Sequence, residues 1–178
     1  MSNSIPQLHM RRSLAALPEI DVPSGYELRA FASDDAARWA DLLARNGELG
    51  EWNLDRALPF FAANSRMVLP GSFFVMCDGR PTATAQLHLH LDDVYAPTPE
   101  LGWVAALPDH RGKGIGYLVC LAVLRFAASV GHQEIFLRTD DHRLPAIRSY
   151  LRLGFEPWLF DETARDRWDR IRHVLRSP

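Results

Sequence analysis

Arg111-Gly112-Lys113-Gly114-Ile115-Gly116 is the stretch whose reading decides the fold. It follows an apolar run, Glu100–Leu107, that Pro108 stops. It precedes Gly116–Val130, where Leu118, Leu121, Ala122, Leu124 and Ala128 recur at helical spacing until Gly131 ends the pattern. Three glycines in five residues let a backbone approach a ligand and turn its N–H groups toward it. A helix N-terminus behind them adds partial positive charge suited to phosphate. Arg111 and Lys113, the only lysine among 20 basic residues, add formal charge. The plainer alternative is a glycine-rich turn with no ligand.

Working outward, Tyr26–Phe31 alternates apolar and polar as a half-buried strand does. Ser33 or Asp34 is expected to cap a helix burying Ala36, Trp39, Ala40, Leu42 and Leu43, ended at Asn46-Gly47. A second helix is expected over Asn53–Asn64, broken at Pro59. Gly71–Asp78 and Pro81–Leu91 flank Asp78-Gly79 as a β-hairpin. Glu100–Leu107 is apolar enough to be a central strand. Glu134–Arg138 is a strand, Pro145 starts a helix closed by Gly154, Phe155–Phe160 is a final strand, and Thr163–Arg176 an arginine-rich amphipathic helix. The order β-α-α-β-β-β-α-β-α-β makes one mixed α/β domain over 26–160. Residues 1–25, broken by three prolines, read as an arm or short strand laid over it, with Arg11 and Arg12 as solvated surface. Residues 161–178 are a terminal helix packed on or extending the domain.

Composition narrows the classes. The 178 residues suit one domain, and 47% hydrophobic with 24% charged residues is the balance of a globular protein. A net charge of −2 gives no general attraction to nucleic acid or an anionic membrane. Cys77 and Cys120, both in apolar runs, read as buried thiols. With no signal-like N-terminus and no membrane-length apolar run, a cytoplasmic location is expected. Oligomeric state stays open.

Three phosphate-binding readings compete for the glycine loop. A Walker loop needs Ser or Thr after Gly-Lys, and Gly114 stands there. A nicotinamide-dinucleotide fingerprint has its strand, helix and an acidic residue, Asp140, but lacks the third glycine, and about forty residues remain after Asp140, too few for a doubly wound sheet. The third is a coenzyme A site. Arg111-x-x-Gly114-x-Gly116 resembles the Arg/Gln-x-x-Gly-x-Gly/Ala motif of the GCN5-related N-acetyltransferases. Thr139-Asp140-Asp141-His142-Arg143-Leu144-Pro145-Ala146-Ile147-Arg148-Ser149-Tyr150, running into Leu153-Gly154-Phe155, resembles the family's second hallmark. The two segments cover about 55 residues in the family's order, and Arg-Leu-Pro-Ala-Ile looks like the mycothiol-synthase-like branch.

The resemblance implies a mostly antiparallel, splayed sheet flanked by helices, and transfer of an acetyl group from acetyl-CoA to a primary amine of a small molecule or peptide. It places pyrophosphate on the backbone of Arg111, Gly112, Lys113, Gly114, Ile115 and Gly116. Pantetheine would lie along Trp103, Val104, Ala105, Ala106 and Leu107, with Ala146 also at the donor site. A backbone N–H near Val104–Ala106 would stabilise the oxyanion. Tyr150 would be the general acid for the leaving thiolate, or else a core side chain. Glu100, eleven residues before Arg111, resembles the general-base glutamate of histone-acetylating members, a role that needs burial to raise its pKa. A non-catalytic acyl-CoA sensor of the same fold is the rival.

His88 and His90 alternate on one strand and share a face. No third residue stands at a metal-ligand spacing from them, so no metal is expected. The resemblance, whose family places its acceptor near this strand, implies that one of them or Asp92 lines the acceptor side. His9, His110, His132, His142 and His173 read as surface. Trp39, Trp52, Trp103, Trp158 and Trp168 read as core, and the resemblance implies that Trp52, in the loop between the first two helices, is near the acceptor side.

Overall fold

A computed structural model describes residues 5–176; residues 1–4 and 177–178 of the two terminal segments lie outside the described residues. Strand β1 is Leu8–Ser13, β2 Glu27–Ala30, β3 Phe73–Cys77, β4 Arg80–His88, β5 Glu100–Ala106, β6 Glu134–Thr139 and β7 Glu156–Trp158. Helices are α1 Ala36–Asn46, α2 Leu54–Ala57, α3 Ile115–Ser129, α4 Leu144–Arg152 and α5 Ala164–Arg176. They build one seven-stranded sheet in the order β2-β3-β4-β5-β6-β1-β7, with β5 in the middle. Each neighbouring pair is antiparallel except β5–β6. This is not the doubly wound parallel sheet that a dinucleotide fingerprint requires.

The sequence expectations hold where the signal is local. Asp78 and Gly79, at φ 50° and 73°, turn β3 into β4 as the Asp-Gly pair demands. All five apolar positions read for the first helix are buried in α1. Three details differ. The residue before α1 is Asp35, whose fully buried carboxylate accepts from the Ala32 N–H and pairs with Arg29 and Arg38. The helix expected over 53–64 stops at Ala57 and tightens into a 3₁₀ turn at Leu58–Phe61, because Pro59 lacks the donor an α-helix needs. The N-terminal segment is more than an arm: β1 is inserted between β6 and β7, with Leu8 and Met10 at 0% exposure.

That insertion explains two further corrections. His9, read as surface, is buried because its side chain points from β1 into a stack with Tyr95 and Phe160. Arg12, read as solvated, donates to the carbonyls of Leu153 and Ala16 and ties β1 to the end of α4. Cys120 is buried as expected, whereas Cys77 at the end of β3 is only partly so.

Two cores lie on opposite faces of the sheet. Helices α3, α4 and α5 cover one with aliphatic residues such as Val119, Leu124, Leu137 and Ile147, plus Trp168 from α5. Helices α1 and α2 and the 3₁₀ turn cover the other with Trp39, Trp52, Phe31 and Phe74. Among the described residues no helix is long and apolar enough to cross a membrane.

Candidate active site

The sheet opens at its centre. Strands β5 and β6 register at a single pair, Glu100↔Phe136, and diverge beyond it. Strand β5 is also bulged: it pairs with β4 as Gln86↔Gly102 and then Thr84↔Ala105, so Trp103 and Val104 together face Ala85. Trp103 adopts φ 49°, a conformation few side chains take and one that usually marks a functional bend. In the gap sits a cavity of about 330 Å³, walled by Trp103 and Val104 of β5, His88 of β4, Arg138 of β6, Tyr150 of α4 and Phe60 of the 3₁₀ turn.

The glycine loop leads to this gap from the other end of β5. Gly112 and Gly114 have φ of 77° and 79°, which glycine alone adopts cheaply. Gly114 is the residue before α3, offers no side-chain cap, and the first turn carries no acidic residue. The first N–H groups of α3 therefore have no side-chain partner of that kind and no competing carboxylate. A Cβ added at Gly112, Gly114 or Gly116 would meet nothing within 4 Å, so the loop borders open space. This surface fits a pyrophosphate, with Lys113 exposed beside it. Arg111 behaves differently from expectation. Its guanidinium turns back to Glu48, at 2.9 Å, and to the Asn46 carbonyl, at 3.4 Å, bracing the loop against the end of α1.

Side chains from four separated segments meet at the cavity. Glu100, 8% exposed, accepts from Arg138 Nε at 2.8 Å and from its second terminal nitrogen at 3.0 Å, and lies 2.8 Å from His90 Nε2. His90 Nδ1 lies 2.7 Å from Asp93, which pairs with Arg66 at 2.9 Å. The raised pKa that the base role of Glu100 needs is not found. Burial pushes its pKa up, but Arg138 and His90 more than offset this and hold the carboxyl below the usual range. His88 sits opposite Glu100 in the β4–β5 register, and its Nε2–H donates to Gln86 Oε1 at 2.7 Å. Burial drives its pKa down to about 4.

Tyr150 reaches the cavity because Leu144-Pro145 opens α4 and Ile147 and Tyr150, three residues apart, share its inward face. Burial raises its hydroxyl pKa well above the ordinary tyrosine value, so the group is protonated at neutral pH. Ala146, one residue before Ile147, is half-buried on the same helix.

Of the residues singled out from sequence, Glu100, Trp103, Val104, Tyr150, His88 and His90 line one cavity. Ala105 and Leu107 are buried in the aromatic core under α1. Ala106 packs toward the opposite core, and Asp92 lies on a separate groove. Trp52 packs edge-on against Trp103 as one wall of that aromatic core. Sequence reasoning missed Arg138 and Arg66. Arg138 had one signal, an arginine inside the apolar strand 134–139; Arg66, in an irregular segment, had none.

Comparison with known proteins agrees with this geometry. The acetyltransferase (GNAT) family model matches residues 31–155. A mycothiol acetyltransferase from Frankia casuarinae is 30% identical over 183 aligned positions, covering 92% of this chain and 51% of the relative. The chain thus spans about half the length of the curated relatives it matches. A GCN5-related N-acetyltransferase from Sphaerobacter thermophilus superposes with TM-score 0.70 at 19% identity, over 86% of this chain and 50% of that one. The aminoglycoside N-acetyltransferase AAC(6')-Iy, solved with CoA, superposes with TM-score 0.61 at 23% identity, over 76% and 91% of the two chains. Motifs, splayed sheet and matched residues make this chain a member of the GNAT acetyltransferase family.

Proposed function

We propose that this chain transfers an acetyl group from acetyl-CoA to the primary amine of a small molecule. The observation that carries the proposal is the parting of β5 from β6 directly after Glu100, which leaves one edge of a bulged central strand open between the glycine loop and a cavity containing Tyr150. The backbone of Arg111–Gly116 and the first turn of α3 would hold the pyrophosphate, with Lys113 as an accessory charge. The open edge of β5 over Trp103–Leu107 would pair with the pantetheine amides, with Ala146 beside them. A β5 N–H near the bulge supports oxyanion stabilisation, and the protonated Tyr150 hydroxyl supports a role as the acid for the departing thiolate.

The relatives support a small-molecule acceptor. Mycothiol and aminoglycoside both appear in the names of similar proteins. A 330 Å³ cavity suits an acceptor of which one amine arm enters. Deacetylated mycothiol is therefore the first acceptor to try, and neamine the second. Release of free thiol from acetyl-CoA with either amine, lost in Tyr150→Phe, is the expected result; no thiol release above the amine-free rate opposes the proposal. One observation favours a second reading, an acyl-CoA binder without transfer: both oxygens of Glu100 are already engaged. Acetyl-CoA binding without turnover on any amine identifies that case.

A further inference from the structure

An attacking amine must lose a proton, and Glu100 is poorly placed to take it. Both its oxygens are engaged, Oε1 by Arg138 Nε and Oε2 by Arg138 and His90, and the paired arginine disfavours a proton there. His88 is the last residue of β4, so His90 lies just beyond the strand; both line the cavity, and their surroundings differ. The one hydrogen bond of His88 among the described residues is from Nε2 to Gln86 Oε1 at 2.7 Å. Because that oxygen only accepts, Nε2 carries the proton and Nδ1 keeps its lone pair. We propose that His88 Nδ1 takes the amine's proton during transfer, and that Gln86 is a positioning residue that fixes the tautomer; this deepens the acetyl-transfer reading and rests on it.

The placement of Gln86 argues for such a role. Thr84, Gln86 and His88 form a polar row on the β4 face that meets the aromatic core, all 9% exposed or less. Gln86 Nε2 and Thr84 Oγ1 are buried without partners, a cost that a leucine or valine at either site would avoid. The ring itself is held by Phe60, edge-on at 6.4 Å between centroids, and by the gap at Gly102, where an added Cβ would touch His88 Cδ2 at 3.4 Å. Four groups face it: Glu100 on β5 favours the protonated ring, while His90, Arg138 on β6 and Arg66 oppose it. Burial wins, so the ring waits in its proton-accepting form.

The step balances without another reactant. As the N–C bond forms and the C–S bond breaks, the amine proton passes to His88 Nδ1 and the Tyr150 hydroxyl proton passes to sulfur. Exchange with solvent then returns the imidazolium and the tyrosinate to their starting forms.

Two measurements test this. Long-range ¹H–¹⁵N spectra of the histidine rings in wild-type protein at pH 7 should show His88 neutral with Nε2 protonated, and Gln86→Leu should give a mixture of tautomers. A ring protonated on Nδ1 in wild-type protein overturns the assignment. With acetyl-CoA and deacetylated mycothiol or neamine, His88→Asn should lower kcat by ~100-fold or more at unchanged KM for acetyl-CoA. Gln86→Leu should lower it by roughly 10-fold, since some rings keep the reactive tautomer. If His88→Asn folds, binds acetyl-CoA and keeps kcat within about threefold of wild type, His88 is not the acceptor. Wild-type protein that binds no acetyl-CoA fails the underlying reading instead, and this proposal with it.

Discussion

The glycine loop and the cavity wall are built by opposite means. The loop is six consecutive residues whose chemistry lies in the backbone: two positive-φ glycines, an uncapped helix start and open space where side chains would stand. The wall is assembled from β4, β5, β6 and α4, and its chemistry lies in side chains that meet only when the sheet forms. The loop should therefore govern how tightly a donor binds, and the wall how fast it reacts. Changes that move both parameters together would erase that distinction.

The largest effect is expected at the wall. Tyr150→Phe should reduce kcat by about 100–1000-fold with the acetyl-CoA Kd unchanged, measured by thiol release and calorimetry. Next comes acid stability. His88 has a folded pKa of about 4 against 6.5 unfolded, so the unfolded chain binds more protons between those values. Stability should fall as pH drops from 6.5 to 4, by at most about 3 kcal/mol from this residue, and His88→Asn should flatten that part of the curve. His9, also held below its ordinary value chiefly by burial, acts in the same direction in both proteins. Denaturant titrations across that pH range are the check.

At the loop, Gly114→Val should weaken acetyl-CoA binding by roughly 10-fold or more while kcat at saturation changes little, because a side chain intrudes on the open space and φ 79° disfavours valine. The smallest change belongs to Arg111. Since its guanidinium is committed to Glu48 and Asn46, Arg111→Ala should alter binding only ~2–5-fold, through loop order and not through lost charge.

The contrast also explains how much was readable in advance. Turns, caps and helices follow local rules, so Asp78-Gly79, the α1 stripe and the Arg111–Gly116 loop were legible. Tyr150 and Glu100 came from motif placement. The state of Glu100 did not, because its pKa is set by Arg138, thirty-eight residues away, and by His90. A short strand was legible near the N-terminus, but its place between β6 and β7 was hidden for a related reason. Prolines flank it, and its partners β6 and β7 lie more than a hundred residues downstream. His9 looked like surface only while that segment was read as an arm or short strand laid over the domain.

Calorimetric titration of acetyl-CoA into wild type, Tyr150→Phe and Gly114→Val tests the division of labour most directly. Equal Kd is expected for wild type and Tyr150→Phe, and a Kd raised roughly 10-fold or more for Gly114→Val. No binding by wild type, or Gly114→Val binding as tightly as wild type, would contradict it.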